Sequence, residues 1–112
     1  MIKAGIIGGA GYTGGEVLRL LLNHPEVAIS FVQSESQAGK KVYSVHQDCF
    51  GSTELNFQKE VNEADVLFLC KGHSESKLFL EKNKISDSIK VIDLSQDFRH
   101  HENSSFHGKK FV

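Results

Sequence analysis

The sequence predicts a doubly wound, mostly parallel α/β sheet, and three observations carry that expectation. Strand-like apolar runs alternate with segments of helical periodicity. The first strand passes directly into a helix through a glycine-rich turn. The runs at 2–8 and 64–70 are almost continuously apolar, as strands covered on both faces are.

Residues 2–8 form the first such run and end in glycines. From Tyr12 to Asn23, Val17, Leu18, Leu21 and Leu22 recur at helical spacing, while Glu16, Arg19 and Asn23 fall on the other side. Pro25, the only proline, stops that helix, because the residue before a proline is disfavoured in helical geometry. Val27 to Val32 is rich in β-branched and aromatic residues and reads as the second strand, followed by a polar loop from Ser34 to Lys41. The first 33 residues thus make one βαβ unit. Val42 to Val45 reads as a helical turn and Leu55 to Phe57 as a short strand. Ala64 to Cys70 is a buried strand, Ser76 to Ile85 carries a helical pattern in Leu78, Phe79 and Leu80, and Lys90 to Leu94 is a further strand.

A chain of 112 residues has room for one domain, 1–112, and its 39% hydrophobic content with eight Phe can build a core. Thirteen basic against fourteen acidic residues leave a net charge of -1, so no global field draws the chain onto a polyanion, and nucleic acid is not an expected partner. Cys49 and Cys70 lack the spacing of a metal knuckle or redox pair and read as reduced thiols. The apolar stretch near the N-terminus is short and broken by glycines, unlike a secretory signal, and no run of about 18 apolar residues exists to cross a membrane. These features predict a soluble, cytoplasmic protein.

The chemistry is concentrated in Gly8-Gly9-Ala10-Gly11-Tyr12-Thr13-Gly14-Gly15, which contains both GxxGxxG, from Gly8, Gly11 and Gly14, and GxGxxG, from Gly9, Gly11 and Gly14. A strand that turns sharply into a helix while its backbone approaches a pyrophosphate must exclude side chains there. The helix then offers unpaired N–H groups and the positive end of its dipole. Gly14 is expected to let the helix pack closely on the strand. A tight turn without a ligand gives the same glycines, but a strand before, an amphipathic helix after and a βαβ frame around them favour a dinucleotide site of Rossmann type. At the end of the second strand Glu35 stands about 20 residues beyond the turn, where an acid grips an NAD ribose. Ser34, Ser36, Lys40 and Lys41 offer instead the hydrogen bonds and charge that suit the 2′-phosphate of NADP. The alternative is a solvated loop with Glu35 pointing away.

Three segments carry a resemblance to the N-acetyl-gamma-glutamyl-phosphate reductase family: Gly8 to Gly14, then Ser34-Glu35-Ser36-Gln37-Ala38-Gly39-Lys40, then Val91-Ile92-Asp93-Leu94-Ser95-Gln96-Asp97-Phe98-Arg99. Their order and spacing agree over nearly the whole chain. The resemblance implies an NADPH-dependent reduction of the acyl phosphate of N-acetylglutamate to the semialdehyde, with release of phosphate, in a homo-oligomeric enzyme of arginine biosynthesis. It further implies that Cys70, Lys71, Gly72 and His73, at the end of the fourth strand, approach the cofactor. Glu35 stands where the family often has an arginine, which leaves NADP and NAD both open. The family's nucleophile lies in an Asn-Pro-Gly-Cys segment and its acid/base is a histidine farther along. With Pro25 the only proline, no such segment occurs here. The thioester chemistry needs that thiol, so the chain is expected to be the cofactor-binding part of a larger protein, inactive alone and without catalytic residues of its own. The absence of a helical pattern after the fifth strand, and the ending Lys109-Lys110-Phe111-Val112, point to the same expectation of truncation.

Several residues invite other readings. Cys70 ends an apolar strand, where a thiol is usually an inert core residue, and Cys49 has no identifiable activating base. His100, His101 and His107 lack metal-site spacing and read as a solvated loop. His73 is placed to touch a ligand or to cap a helix, and Asp97 and Arg99 to face a substrate or to pair with each other. Two rival functions share the glycine turn: an aspartate-semialdehyde dehydrogenase, against which the Asp-Leu-Ser-Gln-Asp-Phe-Arg segment speaks, and a non-catalytic domain that binds a dinucleotide to report redox state.

Overall fold

Consecutive residues of a strand point to opposite faces of a sheet, so a strand buried on both sides needs apolar residues without interruption. Ala4, Ile6 and Ile7 meet that demand and are fully buried. They belong to β1 (Ile2–Ile7), the central strand of a computed structural model that describes residues 1–71, 79–80, 85, 88–94, 105–106 and 109–110. Beside it lie β2 (Val27–Gln33), β3 (Phe57–Gln58), β4 (Val66–Leu69) and β5 (Lys90–Asp93), in the order β3-β2-β1-β4-β5 with every pair parallel. The chain therefore winds outward from β1 in one direction through β2 and β3, then returns and winds the other way through β4 and β5. The carboxyl ends of β1 and β4 flank the reversal, where open α/β sheets form their crevice. The expected doubly wound architecture is the one observed.

The alternation on β1 divides the core in two. Ile6 joins Val17, Leu18, Val32, Val42, Cys49 and Phe57 on the face covered by α1 (Tyr12–Leu22) and the two 3-10 turns Val42–Ser44 and Gln47–Cys49. Ile7 joins Phe31, Leu67, Leu69, Val91, Phe79 and Leu80 on the other face. Phe79 and Leu80 are helical, in agreement with the pattern expected over Ser76 to Ile85, whereas Ile85 is not; the other residues of that stretch lie outside the described residues. A register shift between Ala4 and Gly5 accompanies the close packing of Phe31, whose Cε1 lies 2.4 Å from where a Gly5 side chain would begin.

Most expected boundaries agree within a residue or two. The helix ends at Leu22 with Asn23 as its cap, before Pro25 is reached. The short strand expected at Leu55 to Phe57 is Phe57–Gln58, and the helical turn at Val42 is a 3-10 turn. Sequence reasoning did not anticipate β6 (Ser105–Phe106) and β7 (Lys109–Lys110), which pair antiparallel; Phe111 and Val112 lie outside the described residues. Strands of two residues carry no periodicity that a sequence can display. Among the described residues no helix is long and apolar enough to cross a membrane.

Candidate functional site

The glycine turn is built in two layers. In the lower layer, the amides of Gly8 and Gly9 both donate to the carbonyl of Gln33, at 3.0 and 2.9 Å, and Gly8 N–H also lies 3.2 Å from Gln33 Oε1. These two amides face the sheet, which leaves the start of the helix to offer unpaired N–H groups, as expected from the sequence. Gly9 and Gly14 belong to this layer. A Cβ on Gly9 would come 2.2 Å from Val32 Cγ1, and one on Gly14 would come 2.6 Å from both the Gly8 carbonyl oxygen and the Gly9 Cα. Gly14 thus packs helix on strand as expected. Gly8 adopts φ 77°, a left-handed conformation suited to glycine, and lies against the backbone of Lys71.

The upper layer faces solvent. Gly11 is the N-cap of α1, extended and without a side-chain cap, and nothing lies within 4 Å of its missing Cβ. The amides of Ala10, Gly11, Tyr12 and Thr13 have no hydrogen-bond partner among the described residues, as the first turn of an uncapped helix requires. No acidic residue occupies that turn, so the positive end of the helix is not neutralised.

Gly8, Ala10, Gly11, Ser34, Glu35, Ser36, Cys70 and Lys71 line one cleft of about 370 Å³ beside this turn. Three strand ends supply its walls. Ser34, buried just beyond β2, is held by its amide on Gln58 O at 3.0 Å, and its hydroxyl accepts from the Gln37 amide at 3.2 Å. Glu35 and Ser36 follow, exposed, and both border the cleft. Cys70 and Lys71 form the β4 wall, where the Cys70 amide donates to Ile7 O at 2.8 Å and Lys71 Nζ sits 5.8 Å from the centre of the Phe79 ring. Burial, and secondarily the Asp93 carboxylate, push the Cys70 thiol up to about 12, and burial also raises Cys49. Neither thiol is primed as a nucleophile.

Eight of the residues singled out by sequence therefore meet in one place. Gly9 and Gly14 lie beneath it. Tyr12 and Thr13 are exposed on the first turn of α1 and Lys40 is exposed on its loop, but none of the three lines the cleft. Lys41 turns elsewhere, with Nζ donating to Glu54 O at 3.0 Å and 3.6 Å from its carboxylate, so it does not serve the cleft. Gly72, His73, Asp97, Arg99, His100, His101 and His107 lie outside the described residues. Among the described residues no group of His, Cys, Asp and Glu is arranged to hold a metal.

Sequence reasoning missed His46. Its ring is buried, its Nε2 lies 2.6 Å from Gly9 O, and it packs edgewise on Phe57. It occupies space that Gly15 leaves open, since a Cβ there would come 2.6 Å from His46 Cε1. The second glycine of the Gly14-Gly15 pair was the available signal: a bare inward position on a helix implies a bulky neighbour.

Comparison with known proteins adds to this geometry. Residues 3–107 match the family model described as semialdehyde dehydrogenase, NAD binding domain. A curated protein of Christiangramia forsetii, named N-acetyl-gamma-glutamyl-phosphate reductase, is 61% identical over 100 residues, covering 88% of this chain and 31% of its own length. Proteins of the same name from Phocaeicola vulgatus and Flavobacterium johnsoniae are 52% and 48% identical, covering 88% and 100% of this chain. The chain spans about a third of the length of these relatives, 31% and 35% for the last two. Among solved structures, aspartate semialdehyde dehydrogenase with NADP from Candida albicans superposes with a TM-score of 0.70 at 25% identity, over 90% of this chain and 31% of that one.

Proposed function

The chain belongs to the family of semialdehyde dehydrogenase NAD-binding domains, and from that premise we propose that residues 1–112 are the cofactor-binding part of an enzyme that reduces N-acetyl-gamma-glutamyl phosphate to N-acetylglutamate semialdehyde with NADPH. The observation that carries the proposal is the cleft itself. Unpaired amides of an uncapped helix open onto it, and Gly11 leaves free the space a side chain would fill. Such a surface takes a pyrophosphate without rearrangement. The relatives at 48–61% identity support the choice of reductase over the aspartate-semialdehyde enzyme, whose solved relative is more distant.

In this reading NADPH, when bound, supplies the hydride, and the chain's own residues hold and orient it. The Ala10 to Thr13 amides take the pyrophosphate, Ser34, Glu35 and Ser36 meet the adenosine ribose with its 2′-phosphate, and Cys70, Lys71, Gly72 and His73 approach from the β4 side. NAD remains the second cofactor, favoured by an acidic residue, Glu35, bordering the cleft. We place the thiol nucleophile in the portion of the relatives that this chain does not span, because Cys70 and Cys49 are held as neutral thiols. The whole enzyme is proposed to be a cytoplasmic homo-oligomer acting on a small-molecule acyl phosphate. Calorimetric titration of the chain with NADPH and, separately, NADH tests the reading. Saturable binding with NADPH preferred is expected; binding of neither would overturn the cofactor site, and a preference for NADH would overturn the cofactor choice.

A further inference from the structure

Gly9 contributes two groups of opposite orientation to the turn. Its own amide points down to Gln33 O, while its carbonyl points to His46 Nε2 at 2.6 Å. A trans peptide is planar, with C=O and the following N–H directed to opposite sides, and the described residues contain no cis peptide. The Gly9 carbonyl and the Ala10 amide share one such plane. Whatever fixes the carbonyl therefore fixes the amide, and Ala10 is the first residue of the turn whose amide is unpaired and which lines the cleft.

We propose that His46 is a positioning residue for dinucleotide binding: by donating Nε2–H to the Gly9 carbonyl, it aims the Ala10 amide into the cleft and polarises it toward an anionic phosphate. The inference rests on the cofactor reading above. Three features make the ring's place specific. Gly15 leaves the slot that a methyl would close, Phe57 borders the ring edgewise, and the hydrogen bond spans 37 residues in sequence, so the 3-10 turns are fastened to the glycine loop through this contact. An amide whose carbonyl already accepts a hydrogen bond is the stronger donor, because linked bonds polarise each other in a low-dielectric interior. The same contact supplies the buried Gly9 carbonyl with a partner, without which it would be left unsatisfied.

The test is NADPH titration of the full chain in three forms: wild type, His46→Phe, which keeps a ring but no donor, and His46→Gln, whose amide nitrogen takes the place of Nε2. His46→Phe is expected to weaken NADPH roughly tenfold and His46→Gln to restore affinity to within about threefold, from the loss and return of one hydrogen bond. Adenosine 2′-monophosphate, which lacks the pyrophosphate, should bind all three alike. Unchanged NADPH affinity in His46→Phe overturns the proposal, as does an equal loss for NADPH and adenosine 2′-monophosphate, which marks general damage. A wild-type chain that fails to bind NADPH overturns instead the cofactor reading on which the proposal rests, before any variant is compared. Should His46→Phe not fold, imidazole nitrogen NMR of the wild type decides: a proton on Nε2 is required, and a bare Nε2 refutes the role.

Discussion

A side chain on Gly14 would begin 2.6 Å from the carbonyl oxygen of Gly8, closer than a Cβ approaches any atom in ordinary packing. The obstacle is backbone, fixed by the Gly8 and Gly9 bonds to Gln33, and cannot swing aside. Gly14→Ala is therefore expected to destabilise the fold by about 1–3 kcal/mol through overpacking. Thermal or urea unfolding measures it; a stability equal to wild type would show that helix and strand are not packed this closely.

Gly11 makes the opposite case, because nothing lies within 4 Å of its absent Cβ and its backbone conformation is open to any residue. Gly11→Leu should leave unfolding free energy within about 0.5 kcal/mol of wild type, yet abolish measurable NADPH binding by filling the cleft mouth. Loss of both together would mean that the two layers of the turn are not separable.

Glu35 borders the cleft, on the loop proposed to meet the adenosine ribose. Replacing it by Gln removes a negative charge near a 2′-phosphate, worth ~1 kcal/mol at the effective dielectric of a surface site. NADPH affinity should rise by about fivefold, while NADH affinity falls or stays constant. Parallel titrations with the two nucleotides provide the check, and an equal change in both would place Glu35 away from the 2′ position.

The Cys70 thiol gives a pH dependence whose sign is fixed. Folding raises it from 9.0 to about 12, so above the unfolded value the unfolded chain releases a proton that the native one keeps. Stability contributed by the neutral buried thiol is complete below pH 9 and declines as pH rises from about 9 toward 12. Urea midpoints measured across pH 8 to 11 should fall in wild type more steeply than in Cys70→Ala. In the same range native Cys70 should resist alkylating reagents that modify the unfolded chain at once.

The glycine turn and the strands around it were legible because each leaves a repeated mark: bare residues at fixed spacing, and apolar runs where both faces are covered. The division of labour within the turn was not legible. Gly9 and Gly11 stand two residues apart in the same motif, yet one is pressed onto Val32 and the other opens to solvent. Lys40 and Lys41 read alike in sequence, and only tertiary structure sends Lys41 to Glu54. His46 escaped notice because its partner is a carbonyl 37 residues away, and β6 and β7 because two residues cannot show a period.

The paired bonds from Gly8 and Gly9 to Gln33 join the ends of β1 and β2 into one rigid node. The turn that rises from it is ordered as the sheet forms, so its shape is preorganised and no affinity is lost to settling a loose loop when a ligand arrives. A ligand bound as proposed would therefore meet a surface already in its final shape.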